Sequence, residues 1–147
     1  MSRIALAVFL IASPLIAQAD QIGDGRASLD RKDPQAALTL LEKAVAENPR
    51  SAEAHYLLGV AYGRLAEKAS IFRQPALARH TRDAFERAVR LDPNHLEARF
   101  ALVQYYTVAP AFLGGSRQKA LQQTEQIRER DASAGNQALA FVTSRSR

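Results

Sequence analysis

Residues 51–94 constrain the fold of this chain more than any other stretch. Small and large apolar residues recur three or four positions apart, first in residues 54–65 and again in residues 84–91. This spacing places them on one face of an α-helix. Ser51 is a typical helix-starting residue, and Pro93 ends the second run because proline cannot continue a helix. The stretch therefore predicts two amphipathic helices joined by a turn.

The rest of the chain repeats this pattern, with a helix-start signal before most apolar runs. The residues predicted to cap helix starts are Asp33, Ser51, Asn94 and Ser116. Glu97, three residues after Asn94, completes a capping-box pattern. Residues 133–142 form a last short helix, whereas residues 21–32 contain two glycines and form a poor amphipathic helix. The fold class predicted is all-α.

Composition narrows the possible functions. Hydrophobic residues make up 47% of the chain, which favours a packed domain over a disordered one. There is no cysteine in the sequence, which excludes disulfides and thiol chemistry. The net charge of +5 comes from interleaved acidic and basic residues. That pattern is typical of a solvated helical surface, and we expect no nucleic-acid partner.

The first 19 residues have the pattern of a secretory signal peptide. Arg3 precedes an apolar run over residues 4–16, and small residues at Ala17 and Ala19 follow. The alternative is a membrane anchor, but the run has about 13 residues and a spanning helix needs about 20. We therefore expect cleavage after Ala19, no integral membrane segment afterwards, and a domain over residues 20–147 in the periplasm of a Gram-negative bacterium.

Residues 51–94 resemble a tetratricopeptide repeat (TPR), a helix-turn-helix unit of about 34 residues. The residues that carry the likeness in the middle of the chain are Leu58, Gly59, Tyr62, Phe85, Ala88 and Pro93. The likeness continues before this stretch at Ala37, Leu41, Ala44 and Pro49, and after it at Leu102, Tyr106 and Ala120. The resemblance implies a short helical array, an alpha-alpha superhelix.

The resemblance also predicts how the array is divided. About three repeats cover residues 20–50, 51–94 and 95–132, and a capping helix covers residues 133–142. The middle repeat is about ten residues longer than usual, with the excess around residues 66–80. This pattern is similar to a group of small exported proteobacterial TPR proteins with an extended central hairpin.

In TPR arrays the first helix of each repeat lines a concave groove. The positions that the resemblance assigns to this groove are Glu53, Tyr56, Val60 and Arg64 in the middle repeat, and Glu97, Phe100, Gln104 and Val108 in the third. Exposed aromatic rings beside charges suit an extended peptide or a partner helix. One alternative is that Tyr56 and Phe100 are buried against a neighbouring helix. Another is that the partner binds the long hairpin around Ile71 and Phe72 and not the groove.

No catalytic or metal-binding motif accompanies the repeat. The three histidines, His55, His80 and His95, are far apart in sequence, so we expect no metal, no cofactor and no enzymatic activity. The predicted function is a periplasmic protein-protein interaction adaptor. Two alternatives remain: a structural homo-oligomer, and a peripheral binder of an anionic surface. The arginines of the last alternative are Arg64, Arg73, Arg79, Arg82 and Arg87.

Overall fold

A computed structural model describes residues 14–145, with side chains from Asp20 onward. Residues 1–13, most of the predicted signal peptide, lie outside the described part, and the predicted cleavage point after Ala19 falls within the first helix. The α-helices are α1 (Pro14–Asp30), α2 (Pro34–Glu47), α3 (Ala52–Lys68), α4 (Gln74–Leu91), α5 (Leu96–Val108), α6 (Arg117–Arg128) and α7 (Ala132–Ser144). A short 3₁₀ turn, Ala111–Leu113, precedes α6.

Side-chain caps begin most of these helices. Asp33, Ser51 and Ser116 accept hydrogen bonds from backbone N–H groups of α2, α3 and α6, which confirms these three predicted caps. The prediction that Asn94 caps α5 is wrong. His95 holds that position, and its Nδ1 accepts a hydrogen bond from the Ala98 N–H at 3.3 Å.

Asn94 makes a different contact. Its side-chain oxygen accepts a hydrogen bond from Arg130 Nε at 2.9 Å. Asn94 therefore ties the start of α5 to the end of α6. The capping-box pattern with Glu97 misled the prediction because an imidazole acceptor one residue later performs the same task as an amide.

The helices form consecutive antiparallel pairs. Helix α1 packs on α2, α3 on α4, and α5 on α6, while α7 packs on α6. The alternate helices also touch, since α1 contacts α3 and α5 contacts α7. The described residues contain no strand. The prediction of an all-α array of helix-turn-helix units is confirmed.

Two clusters of buried apolar side chains hold this array together. The N-terminal cluster joins α1, α2 and α3 through Leu29, Ala37, Leu41, Leu57, Leu58 and Ala61. The C-terminal cluster joins α4 to α7 and includes Phe85, Leu102, Val103, Ile127 and Val142. Tyr56 and Val60, both on α3, pack against both clusters. Helix α3 is therefore the link between the two halves of the core.

Helices α3 and α4 approach each other closely because small residues lie between them. A Cβ atom placed on Gly59 would lie 2.6 Å from two carbons of the Phe85 ring. Ala88, one turn after Phe85, is fully buried. The ring of Phe85 therefore lies directly against the backbone of α3, and only glycine at position 59 leaves room for it.

Tyrosine hydroxyls link the helices at their edges. Tyr62 donates to the Glu42 carboxylate at 2.8 Å, and Tyr106 donates to Glu86 at 2.7 Å. Tyr105 donates to the Leu113 carbonyl at 2.8 Å, which fixes the 3₁₀ turn to α5. Burial and the neighbouring Glu42 carboxylate raise the pKa of Tyr62 to about 12. Burial also raises the pKa of Tyr105 and, with the Glu86 hydrogen bond, that of Tyr106.

We predict opposite effects of glycine-to-alanine changes in α3 and α1. Gly59→Ala forces the enclosed Phe85 ring to move, and overpacking of this kind typically costs about 1–3 kcal/mol. Gly23→Ala is the matched control, because nothing lies within 4 Å of a Cβ there and alanine favours a helix by up to about 1 kcal/mol. Urea unfolding of both variants measures the difference. Equal stability of the two variants would show that the α3–α4 approach is looser than described.

We also predict that the tyrosines ionise at a higher pH than an exposed tyrosine does. Burial raises the pKa of Tyr56 as well, so the four tyrosines of the chain share this shift. The unfolded chain loses phenolic protons near pH 10 while the folded chain keeps them, so stability falls as pH rises above about 10. Absorbance at 295 nm should therefore rise together with loss of helical circular dichroism.

Tyr62→Phe provides the control for this titration. The variant keeps the ring and removes one phenol, so the total absorbance change should fall by a quarter. Ionisation of all phenols near pH 10 with the helical signal intact would contradict the prediction.

Candidate functional site

A groove lies between the alternate helices α3, α5 and α7. Its volume is about 640 Å³. Phe85 of α4 and Ile127 of α6, both buried, contribute to its lining from behind these helices. We call this concavity the central groove. Its other lining residues are Tyr56, Gly59, Val60, Gly63, Arg64, Glu67, Leu96, Glu97, Phe100, Ala101, Gln104, Ala134 and Gln137.

Six of the eight residues assigned to a groove from the sequence lie along it. They are Tyr56, Val60, Arg64, Glu97, Phe100 and Gln104. The structure does not bring Glu53 or Val108 into the lining. Val108 is the last residue of α5 and is 54% exposed.

Glu53 lies at a junction of three helices. Its carboxylate accepts a hydrogen bond from the Arg26 guanidinium of α1. Its other oxygen accepts a hydrogen bond from His95 Nε2, at the start of α5, at 3.0 Å. Because both oxygens are engaged with neighbouring helices, Glu53 connects parts of the array and does not face a ligand in the groove.

The two aromatic residues of the groove combine packing with partial exposure. The Tyr56 ring centroid lies 6.0 Å from that of Phe85 and 5.0 Å from that of His95. The Phe100 ring lies 6.3 Å from Phe141 of α7. Both side chains are half-buried. Each ring therefore packs against a neighbouring helix on one side and borders the groove on the other, so both readings of these residues hold in part.

Burial sets the chemistry of the Tyr56 hydroxyl. Partial desolvation raises the pKa of Tyr56, and the nearby carboxylates of Glu97 and Glu53 raise it further. The hydroxyl is protonated at neutral pH, as in any tyrosine, and the raised pKa extends the protonated range to higher pH. It contributes no negative charge to the groove.

Arg64 is partly occupied by a structural contact. Its guanidinium donates a hydrogen bond to the carbonyl oxygen of Leu29, near the end of α1. Arg64 and Glu67 also line a second cavity of about 430 Å³ between the ends of α1 and α3. Arg64 therefore stabilises the packing of α3 on α1 as well as bordering the groove.

Several lining residues were not identified from the sequence. Ala134 and Gln137 belong to α7. The repeat pattern predicted this helix only as a cap at the end of the array. Gly63 follows Gly59 by one helical turn, and a Cβ there would meet Thr81 only at an ordinary 3.6 Å. The pair of glycines on one face of α3 was the available signal that α4 approaches α3 closely beside the groove.

The histidines serve the packing of helices. His55 Nε2 lies 3.1 Å from the Pro49 carbonyl, and partial burial lowers the pKa of His55. His80 stacks on Tyr62 with ring centroids 5.1 Å apart. Within residues 14–145, no cluster of three potential metal ligands occurs. No helix in that range is long and apolar enough to span a bilayer.

The five arginines assigned to an anionic surface do not act alike. Arg64 binds the Leu29 carbonyl, and Arg82 pairs with Asp83 at 2.7 Å and donates to the Leu113 carbonyl at 3.2 Å. Arg73 and Arg79 are exposed near the start of α4. Structural contacts thus occupy two of the five side chains. The five arginines therefore do not form one open basic patch.

Comparison with known proteins finds a repeat family whose model matches part of the chain. A search of curated protein sequences finds no match. Among solved structures, the chain is similar to a thermophilic TPR protein of Thermus thermophilus, with 18% identity, a TM-score of 0.41, and coverage of 88% of this chain and 91% of that one. The family model described as "Tetratricopeptide repeat" matches residues 24–78, from the second half of α1 to the start of α4. The match covers this segment of the chain and leaves α5 to α7 outside it.

Proposed function

We propose that this protein is an exported, periplasmic protein–protein interaction adaptor that binds a peptide or a partner helix in the central groove. The observation that carries the proposal is the pairing of Tyr56 and Phe100 on successive alternate helices, α3 and α5, along one groove. Rigid, partly buried aromatic side chains are frequent anchors of protein interfaces. The periplasmic location rests on the predicted signal peptide.

The size of the groove fits side chains of a partner. A volume of about 640 Å³ lies within the usual range of about 300–1,000 Å³ for a ligand pocket. An amphipathic helix presents apolar anchors at positions i, i+3, i+4 and i+7, and such a row can lie along the groove. Val60 and Ala101, together with the two aromatic rings, supply apolar contact for these anchors.

The charge around the groove suggests which partner binds best. Glu67 and Glu97 are exposed carboxylates in its lining, and Gln104 and Gln137 are exposed amides. Arg64 already donates to a backbone carbonyl. The neutral carbonyl leaves the charge of Arg64 in place, so the lining holds two carboxylates and one guanidinium and is net acidic. We therefore expect a partner segment that carries lysine or arginine beside its apolar anchors.

Photo-cross-linking tests the groove in cells of the source organism. A photoreactive phenylalanine analogue replaces Gln104 in the groove, and in a matched protein it replaces Gln118, which is exposed on α6 outside it. We expect a discrete adduct from position 104 that is lacking from position 118. An adduct with a second copy of the chain at position 104 would favour the homo-oligomer over the adaptor.

Substitutions then measure how much the groove contributes. Tyr56→Ala with Phe100→Ala should weaken partner binding about 100- to 1000-fold, because anchoring aromatics often contribute about 2 kcal/mol or more each. Gln104→Arg should weaken binding of a basic partner without disturbing the rings, and Gln118→Arg should not.

Thermal melting provides the check on folding. Both aromatic rings touch neighbouring helices, so the double variant loses some stability, whereas Gln104→Arg should melt as the unaltered protein does. If both groove variants bind the partner as the unaltered protein does, the binding site lies outside the groove.

A further inference from the structure

The turn between α3 and α4 exposes two large apolar side chains. Ile71 is 74% exposed and Phe72 is 88% exposed. The turn itself is ordered by hydrogen bonds, since the N–H groups of Arg73 and Gln74 donate to the Ser70 carbonyl at 2.9 and 3.0 Å. We call residues 68–74 the hairpin tip. Its backbone geometry holds both apolar side chains outward, although burying them would be favourable.

The hairpin tip projects beyond its neighbours. Arg82 of α4 reaches the 3₁₀ turn, because it donates to the Leu113 carbonyl at 3.2 Å. Gln74, the first residue of α4, precedes Arg82 by eight residues, which corresponds to about 12 Å along a helix. The contact of the α5–α6 loop with α4 is thus made about two helical turns after the start of α4, while Ile71 and Phe72 precede that start and are exposed.

The stretch of chain that includes the tip is basic, although Asp30 and Glu67 lie beside Lys68 along the second cavity. Residues 68–82 contain no acidic residue. Lys68, Arg73 and Arg79 are exposed in this stretch, and none of them forms an ion pair with another described residue. No side chain caps the start of α4, so the partial positive charge of the helix N-terminus adds to theirs.

We propose that the hairpin tip docks the protein on the surface of an anionic phospholipid bilayer. Ile71 and Phe72 enter the boundary between headgroups and acyl chains, while Lys68, Arg73 and Arg79 bind lipid phosphates. Apolar side chains flanked by lysine and arginine are the usual combination for interfacial binding. This inference concerns a surface other than the central groove and does not depend on the proposed adaptor function.

Two physical arguments favour a bilayer over a protein partner. A standard protein interface buries about 800 Å² on each side, and two side chains on a narrow projecting turn provide much less. A bilayer accepts a narrow wedge, and interfacial segments typically enter by about 5–10 Å. Arg79 follows Arg73 by six residues, about 9 Å along α4, so its side chain lies at the depth of the phosphates when the tip is inserted.

A single tryptophan provides a direct test, because the sequence contains none. The full-length Phe72→Trp protein is titrated with vesicles of phosphatidylglycerol and with vesicles of phosphatidylcholine. We expect a blue shift of the tryptophan emission and quenching by brominated lipid with the anionic vesicles only. High salt should reverse both effects, since it screens the attraction between basic side chains and lipid phosphates.

Phe112→Trp is the matched control. Phe112 is 78% exposed on the 3₁₀ turn, at the same end of the array but behind the tip. Its emission should stay that of a residue in water. The emission of each tryptophan depends on the surroundings of that residue alone. Any contribution of the apolar N-terminal residues to vesicle binding is the same in both proteins and does not shift the emission of either tryptophan.

Removal of the basic side chains tests their role. The combination of Lys68→Ser, Arg73→Ser and Arg79→Ser, in the Phe72→Trp background, should lower the affinity for anionic vesicles about 100-fold, because each basic residue near the surface contributes about fivefold. These residues are exposed, so the circular dichroism spectrum should not change.

Four results of the vesicle titrations would overturn the proposal. They are no blue shift with anionic vesicles, an equal shift with Phe112→Trp, an equal shift with neutral vesicles, and unchanged affinity after the serine substitutions. A blue shift that depends on protein concentration without vesicles would also overturn it, and would assign the tip to contact with a second copy of the chain.

Discussion

The structure depends on the contact between the Phe85 ring and the backbone of α3 at Gly59. Because position 59 has no side chain, the ring fills the space between α3 and α4 and holds them as one hairpin. The same ring belongs to the C-terminal core cluster, and it contributes to the lining of the central groove. Tyr56 packs beside it with ring centroids 6.0 Å apart. The depth of the groove therefore follows from how closely two helices approach in the core.

Polar contacts keep the alternate helices aligned along this core. Glu53 joins α1 and the start of α5 through Arg26 and His95, and Arg64 joins α3 to the end of α1. The exposed Arg26–Glu53 ion pair adds little stability, typically less than about 1 kcal/mol. The contacts of His95 and Arg64 are part-buried. All of these contacts join residues far apart in the chain, so they favour one register between the helices.

Local sequence signals predicted the helices well and the groove only in part. The fold class and the caps at Asp33, Ser51 and Ser116 could be read from residues close together in the chain. The cap of α5 was misassigned to Asn94 because two adjacent residues carry suitable acceptors, and contacts with α6 decide between them. Glu53 lies outside the groove because its partners come from helices distant in sequence. No pattern within one repeat shows where α7 lies, so its share of the lining could not be predicted.

Helix α3 connects the two surfaces for which we propose functions. It borders the central groove from Tyr56 to Glu67, and Lys68, the next residue, begins the hairpin tip. These 13 residues form one continuous helix, so Tyr56 and Lys68 are about 18 Å apart along it. A tip held at a bilayer therefore places one end of the groove close to the lipid surface and the other end farther from it. With the tip docked as proposed, a partner that binds the groove approaches it from the aqueous side or lies close to the membrane.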